Sequence, residues 1–419
     1  MDRRLWGRPT TQPVPVAQPG KRLVPQAARR RGTAAELTNR DTKRVEETRV
    51  STLELFFDLV FVFTITQLTT VLVHHPDWDG VAQVAVMLFA IWWMYAGYAW
   101  LTNSIDLARP TFRLFLLGAM CAYLVLALAI PDAFTSTGLT FGLAYLAIIA
   151  LHLGLFTHAT SEVSARSILS VGQTNLIFAG LIVVGGSIGG TAQWVIWVAS
   201  AIGLWVVPEI RGVGVFEIEP AHFVERHGLV VIVALGESVV AIGIGTAGLP
   251  VDLELVGIAV LGLLLVAGLW WTYFADEEAV GEAMARADHV RRARIGVTGF
   301  GYWHFAMLLA IVAVAAALKK ATGHPFHEAT TFAAVALGAG VALFLGADSA
   351  FRRVLRIRGG PARMRAALVA PLTIPLGLVA AAAQIAALVA LLTALVLSRL
   401  PLRRAAPARR PASPPAQPR

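Results

Sequence analysis

Glu54, Asp58 and Gln67 lie in E-L-F-F-D-L-V-F-V-F-T-I-T-Q, residues 54–67. Glu237 lies in A-L-G-E-S-V-V, and His222, Glu225, Arg226 and His227 lie in A-H-F-V-E-R-H-G. All of them fall in or at the edge of long apolar runs. A charged group inside hydrocarbon costs on the order of 2.5–3.5 kcal/mol by insertion scales, so it faces a bundle interior or a water-filled cavity. The chemistry open to such groups is proton exchange, cation binding or hydrogen bonding between helices. Glu54 has a local explanation, because Ser51-x-x-Glu54 is a capping box at a helix start. Asp58 lies one turn further in, on the same face, where the cap does not account for it. A buried interhelical pair and a titrating or cation-binding carboxylate both remain open for it; His222, Glu225, Arg226 and His227 read either as a solvated cap and positive-inside cluster at a helix start or as the source of its partner, Arg226 or His227. Gln67 sits about 13.5 Å further along a helix, as polar glue or pore lining. Glu237 falls within the 224–245 apolar run, with Gly236 and Ser238 beside it. No cap explains it, which makes it the leading site for coupling a proton, an ion or a substrate. His304 in G-Y-W-H-F and His152 are also intramembrane, and a hydrogen-bonded structural role is the default for each. No His/Asp/Glu/Cys set has metal-ligand spacing, and no Walker loop, G-x-G-x-x-G, C-x-x-C or H-E-x-x-H occurs. Neither a metal nor a cofactor is expected, and an enzymatic role is the less favoured reading.

The elements that position these groups are membrane helices. The chain of 419 residues is 57% hydrophobic and only 15% charged, a composition of polytopic membrane proteins. Apolar runs of spanning length lie near 53–73, 81–101, 112–130, 138–158, 167–187, 192–208, 224–245, 252–274, 295–318 and 329–348. A further apolar stretch, 366–398, contains Pro371 and Pro375, which can break it into two short helices. The expected fold is therefore all-α, with about 12 transmembrane helices. With the N-terminus placed in the cytoplasm, 15 Lys/Arg near span ends fall inside and two, Lys319 and Lys320, fall outside. The positive-inside rule then puts both termini in the cytoplasm.

The two halves echo each other. W-W-M-Y (92–95) ends the second span and W-W-T-Y (270–273) ends the eighth. D-L-V-F-V-F-T-I-T-Q (58–67) aligns with G-L-V-V-I-V-A-L-G-E (228–237), setting Gln67 on Glu237 and Asp58 on Gly228. Both matches are six spans apart, which predicts two parallel six-helix repeats, 49–210 and 211–398. The aromatic pairs read either as an interfacial belt or as packing elements within each half. Asp276, Glu277 and Glu278 read as a solvated face.

The net charge of +9 resides in the tails. Residues 1–49 hold 12 Lys/Arg against five acids, and 399–419 hold six Arg and no acid. The body is left with 17 Lys/Arg and 21 acids, so the basic balance does not indicate nucleic acid. Residues 1–48 and 399–419 read as disordered basic cytoplasmic tails able to touch anionic lipid. The bilayer is the expected partner, and oligomer formation is left open. Cys121 is the single cysteine, so no intrachain disulfide can form.

S-T-L-E-L-F-F-D-L-V-F-V-F-T-I-T-Q-L (51–68), W-W-M-Y-A (92–96) and E-R-H-G-L-V-V-I-V-A-L-G-E-S-V-V-A-I-G (225–243) resemble the low-temperature-requirement A (LtrA) family, over about residues 45–398. The resemblance implies a bacterial multi-pass protein of the plasma membrane. It maps the family motif onto Glu54, Asp58, Glu225, Arg226, His227, Gly236 and Glu237, and it brings no catalytic assignment. The favoured function is a proton- or ion-coupled secondary transporter or permease for an unidentified small substrate or ion. The alternatives are an ion channel and a membrane-embedded enzyme or accessory factor for envelope or lipid chemistry. The channel reading draws on F-F-D, which is similar to the F-S-D of a potassium-channel family, although Phe57 stands in place of the Ser.

Overall fold

A computed structural model describes residues 50–103, 109–159, 162–211, 218–322 and 328–399, with the side chains of 157–171 and 211 excluded. The tails expected at 1–48 and 399–419 lie outside the described residues, apart from Arg399. Every regular element among the described residues is helical, with no strand. The helices are α1 (Thr52–His74), α2 (Trp78–Thr102), α3 (Pro110–Ala129), α4 (Gly138–Ala159), α5 (Glu162–Ile188) and α6 (Gly190–Arg211), followed by α7 (Pro220–Gly245) and α8 (Leu253–Phe274). Next come α9 (Glu277–Arg286), α10 (His289–Ile295), a π-helical segment Gly296–Trp303, α11 (His304–Ala321) and α12 (Thr331–Leu355). The chain closes with α13 (Gly360–Val369), a 3-10 turn Ala370–Thr373, α14 (Ile374–Gly377) and α15 (Ala381–Leu397).

Local signals set these boundaries. The Ser51 hydroxyl accepts from the Glu54 amide (3.3 Å) while Glu54 Oε2 accepts from the Ser51 amide (2.9 Å), so the capping box is complete. Asp77 caps α2 by accepting from Gly80 N at 2.8 Å, and Asp252 caps α8 by accepting from Leu255 N at 2.9 Å. Proline opens α3 and α7, where its missing amide is not needed.

Nine helices among the described residues are long and apolar enough to cross a membrane. These nine do not include every span expected: α5 runs 27 residues but its side chains are described only from Gly172 on, and Ala381–Leu397 is apolar but only 17 residues long. The stretch 366–398 does break, since Pro371 and Pro375 fall in the 3-10 turn and α14, and only α15 continues as a regular helix beyond them.

Packing within residues 52–211 runs α1 on α2 and α3, α3 on α4, α4 on α2 and α5, α5 on α6, and α6 back onto α2. Packing within 220–397 runs α7 on α8 and α11, α11 on α12, α12 on α8 and α13, α14 on α15, and α15 back onto α8. The two sets meet where α1 packs on α7 and α11, and where α2 packs on α7 and α11.

The two aromatic motifs have separate fates. Trp92 and Tyr95 are completely buried, so the interfacial-belt reading fails for the first motif. The Trp92 indole N–H donates to the Gly301 carbonyl at 2.8 Å, in the π-helical segment, an oxygen that also accepts the His304 backbone N–H. A Cβ at Gly301 would lie 2.7 Å from the Trp205 ring, which explains the glycine there. Trp270 and Trp271 are exposed, as a belt requires.

Candidate functional site

The seam between α1 and α7 gathers most of the polar residues singled out above. Its best-formed part lies where α1 and α7 begin and α2 ends. Arg226 is wholly buried and extends its guanidinium to two carboxylates. Nη1 donates to Glu54 Oε1 at 2.6 Å and to Thr102 Oγ1 at 3.3 Å, and Nη2 donates to Asp58 Oδ1 at 3.1 Å. Tyr95 donates its hydroxyl to the same Asp58 oxygen at 2.7 Å. The guanidinium also lies 5.6 Å from the Phe57 ring centroid and 5.8 Å from that of Tyr95, within cation–π range. His222 completes the cluster. Asn103 Nδ2 donates to His222 Nδ1 (3.2 Å), leaving Nε2–H to donate to Glu54 Oε2 (3.2 Å).

The helical spacings produce this arrangement. Glu54 and Asp58 are one turn apart on the buried face of α1, and His222 and Arg226 are one turn apart on α7, so two i,i+4 pairs face each other. Glu54 is therefore both a cap and an interhelical partner. Arg226 is the partner of Asp58, and His227 is not. The His227 Nδ1–H donates to the Phe223 carbonyl at 2.8 Å. Asp58 Oδ2, Arg226 Nε and His227 Nε2 are buried without a hydrogen-bond partner. The seam thus retains two acceptors and one donor that are buried and unpaired. Glu225 is half-buried on the flank of α7 and outside the cluster.

The second polar contact of the seam is nearer the opposite ends of α1 and α7. Thr66 donates its hydroxyl to Glu237 Oε2 at 2.6 Å. Glu237 is buried but lies 17 residues from Pro220 and 8 from Gly245, the two ends of α7. The carboxylate therefore sits off-centre in its helix rather than at its middle. Gln67, which the repeat alignment sets on Glu237, is half-buried with no hydrogen bond to a described residue, and the contact with Glu237 is made by its neighbour Thr66. A threonine in a membrane helix gives little sequence signal, because its hydroxyl is usually satisfied by its own backbone; Thr66 also reaches the Val62 carbonyl at 3.3 Å.

A second buried ion cluster went unread in the sequence. Asp348, fully buried on α12, pairs with Arg352 Nε at 3.0 Å and with Arg363 Nε. Arg352 Nη1 and Arg399 Nη1 reach Asp276 Oδ2 at 2.5 and 2.6 Å. Arg352 Nη2 and Arg363 Nη2 donate to the Thr272 carbonyl at the end of α8, where cations are favoured by the helix dipole. Asp276 is thus a clamp rather than part of a solvated face. The available signal was Asp348-x-x-x-Arg352 inside an apolar helix. By their position at span ends alone, Arg352 and Arg363 read as interfacial positive charge.

His304 is fully buried and fully bonded. Its Nδ1–H donates to the Gly299 carbonyl at 3.0 Å, so Nε2 accepts the Tyr273 hydroxyl at 2.8 Å. The His152 ring packs between Tyr98 and Phe156. No group of three or more His, Cys, Asp or Glu among the described residues could hold a metal ion.

Two comparisons place this architecture. A profile described as bacterial low temperature requirement A protein matches residues 49–398. An uncharacterized protein of Rhizobium meliloti (strain 1021) is 27% identical over 328 residues, covering 74% of this chain and 79% of its own length. The span 49–398 takes in the first ion cluster, the Thr66–Glu237 contact and all of the second cluster except Arg399.

Proposed function

The chain belongs to the bacterial low temperature requirement A family, and we propose that it is a proton- or ion-coupled secondary transporter of the plasma membrane. In this reading two parallel six-helix repeats, 49–210 and 211–398, form its halves, with both termini in the cytoplasm. Each packing pair among α1–α6 has a counterpart in the second half, with α7, α8, α11, α12, the α13–α14 arm and α15 taking the corresponding places. This supports the duplication suggested by the two W-W-x-Y motifs. α1 and α7 are then equivalent helices that meet at the join between repeats, a common place for transport sites.

The observation that carries the reading is the pair of polar contacts along this one seam. Glu54, Asp58, Tyr95, His222 and Arg226 close the cytoplasmic end with a network of ion pairs. A single hydrogen bond, Thr66 to Glu237, holds the outer part. A strong closure at one end and a weak one at the other is what an alternating-access protein requires in one of its states. Glu237, held by one neutral hydroxyl, is the coupling carboxylate in this reading. Asp58, with one oxygen unpartnered, is the proton-accepting group of the inner closure.

The test uses proteoliposomes loaded with the pH dye pyranine. Gradients of alkali cations, amines and amino acids are imposed in turn. At least one is expected to drive proton movement with the wild-type protein, and Glu237→Gln is expected to abolish it. Wild-type vesicles that move no protons under any of these gradients would refute coupled transport.

A further inference from the structure

The chain carries no acid after Asp348, and residues 349–399 hold seven arginines. Asp276 and Asp348 engage three of them, Arg352, Arg363 and Arg399. The other four, Arg353, Arg356, Arg358 and Arg365, are exposed, and none forms an ion pair with a described residue. All four belong to one corner of the fold, the turn from α12 into α13. Arg352, in the last turn of α12, donates to the Thr272 carbonyl, so this corner lies where α8 ends. The Ser349 hydroxyl donates to the Gly360 carbonyl at 2.8 Å and ties the start of α13 to α12. A Cβ at Gly360 would lie 4.0 Å from Arg353 Cγ, so the stem of Arg353 runs beside that start. α12 itself ends in a complete Schellman turn. The Ile357 amide donates to the Arg352 carbonyl at 3.0 Å, and the Arg356 amide to the Arg353 carbonyl at 3.1 Å. The left-handed position of such a turn is usually glycine. Here it is Arg356, at φ 59°, the one non-glycine residue with positive φ among the described residues. Packing does not explain a long, exposed side chain held in a conformation that costs energy for any residue with a Cβ.

We infer that the α12–α13 turn is a binding site for an anionic phospholipid, held through its phosphate groups, and that it prefers a headgroup carrying two phosphates. Guanidinium forks are the chemistry that grips phosphate oxygens. Four of them with no carboxylate to neutralise them match two phosphates better than one. Basic clusters at the ends of membrane helices recognise such headgroups. The start of α13 has no side-chain cap, so the positive end of its dipole adds to the same field. The acyl part of the lipid has a place as well. Arg365 lies about 7.5 Å along α13 from Gly360, nearer the hydrocarbon than the turn itself. Leu368 and Leu372 continue from it at spacings of three and four residues and are 70% and 73% exposed. Phosphates rest on the arginines, and a lipid chain runs down these leucines. The site stands on folded elements, apart from the charge of the two tails, and it does not depend on the transport reading.

Purified full-length protein in a non-ionic detergent is titrated with fluorescently labelled cardiolipin at constant ionic strength, and binding is read by thermophoresis. Wild type should bind saturably. The variant Arg353→Gln, Arg356→Gly, Arg358→Gln, Arg365→Gln should bind at least tenfold more weakly; glycine at 356 keeps the Schellman turn. The double variant Arg356→Gly, Arg358→Gln, confined to the exposed turn, should lose at least threefold, which keeps the test open if the larger variant does not fold. Removing the same charge from the tail, by Arg403→Gln, Arg404→Gln, Arg409→Gln and Arg410→Gln, should change binding less than twofold. Unlabelled phosphatidylglycerol, matched for phosphate, should displace the probe at least threefold less well than unlabelled cardiolipin. Phosphatidylcholine and inorganic phosphate should not displace it. Absence of saturable binding, binding indifferent to the turn variants, or an equal loss in the tail variant overturns the site. Displacement by phosphatidylcholine reduces it to a greasy surface, and displacement by inorganic phosphate makes it a site for the free ion; either result overturns the lipid. Phosphatidylglycerol competing as well as cardiolipin overturns the preference for two phosphates.

Discussion

Replacing Arg226 by Met should destabilise the bundle more than replacing Arg226, Glu54 and Asp58 together. Arg226 meets Glu54 at 2.6 Å and Asp58 at 3.1 Å, and none of the three side chains is more than 2% exposed. Two unit charges 4 Å apart attract by about 4 kcal/mol at an effective dielectric of ~20, so the two contacts together give about 8 kcal/mol before desolvation. Burying the three ions cancels much of this, which is why the intact cluster adds little over an apolar replacement. Removing the cation alone is different, because it strands two buried carboxylates beside each other. The expected loss is about 3–5 kcal/mol, the usual cost of breaking a buried pair. The triple variant Glu54→Gln, Asp58→Asn, Arg226→Met removes every charge and should recover most of that loss. Unfolding by SDS, followed through the tryptophan fluorescence of the chain, reads both numbers. A single variant within about 0.5 kcal/mol of wild type, a small fraction of the usual cost of a broken pair, would refute the reasoning. So would a triple variant as damaged as the single.

Three further outcomes follow from the same physics. Ser51→Ala should cost about 1 kcal/mol through the lost cap, and Glu54→Gln should cost more than that in the same unfolding assay because Glu54 also holds Arg226. Thr66→Val should leave Glu237 without its donor and cost about 1–3 kcal/mol, and a shift in the pH at which proton flux is half-maximal should accompany it in pyranine-loaded vesicles. Asp348→Leu should cost about 1–3 kcal/mol, because Arg352 and Arg363 lose a buried acceptor but keep Asp276 and the Thr272 carbonyl; an unfolding curve that overlays wild type would show that Asp348 does not hold the second cluster.

The helical class, the capping box at Ser51 and the break at Pro371 and Pro375 were legible because each follows from local rules. Asp58 and Arg226 were legible as candidates, since charges in apolar runs need partners, but which groups would pair was not. The choice between Arg226 and His227 depends on the rotation of α7 about its axis, which periodicity in so apolar a helix does not fix. Trp92 and Trp270 carry the same local motif and end up buried and exposed. Trp92 meets the Gly301 carbonyl, which lies in a π-helical segment that no sequence pattern announced. Asp276 was misread because a run of three acids at a helix end usually faces water, and its partners Arg352, Arg363 and Arg399 come from 76 to 123 residues further along the chain.

The pairing of Glu54 with Arg226 spans 172 residues, and this has a consequence for biogenesis. At roughly 5–20 residues per second, ribosomes deliver Arg226 about 10–30 s after Glu54. During that interval α1 carries two acids with no guanidinium to meet them. The first of the described helices is then among the last to settle. Its opening turns stay near the aqueous surface until α7 arrives, and the first half cannot finish assembling before the second half has begun.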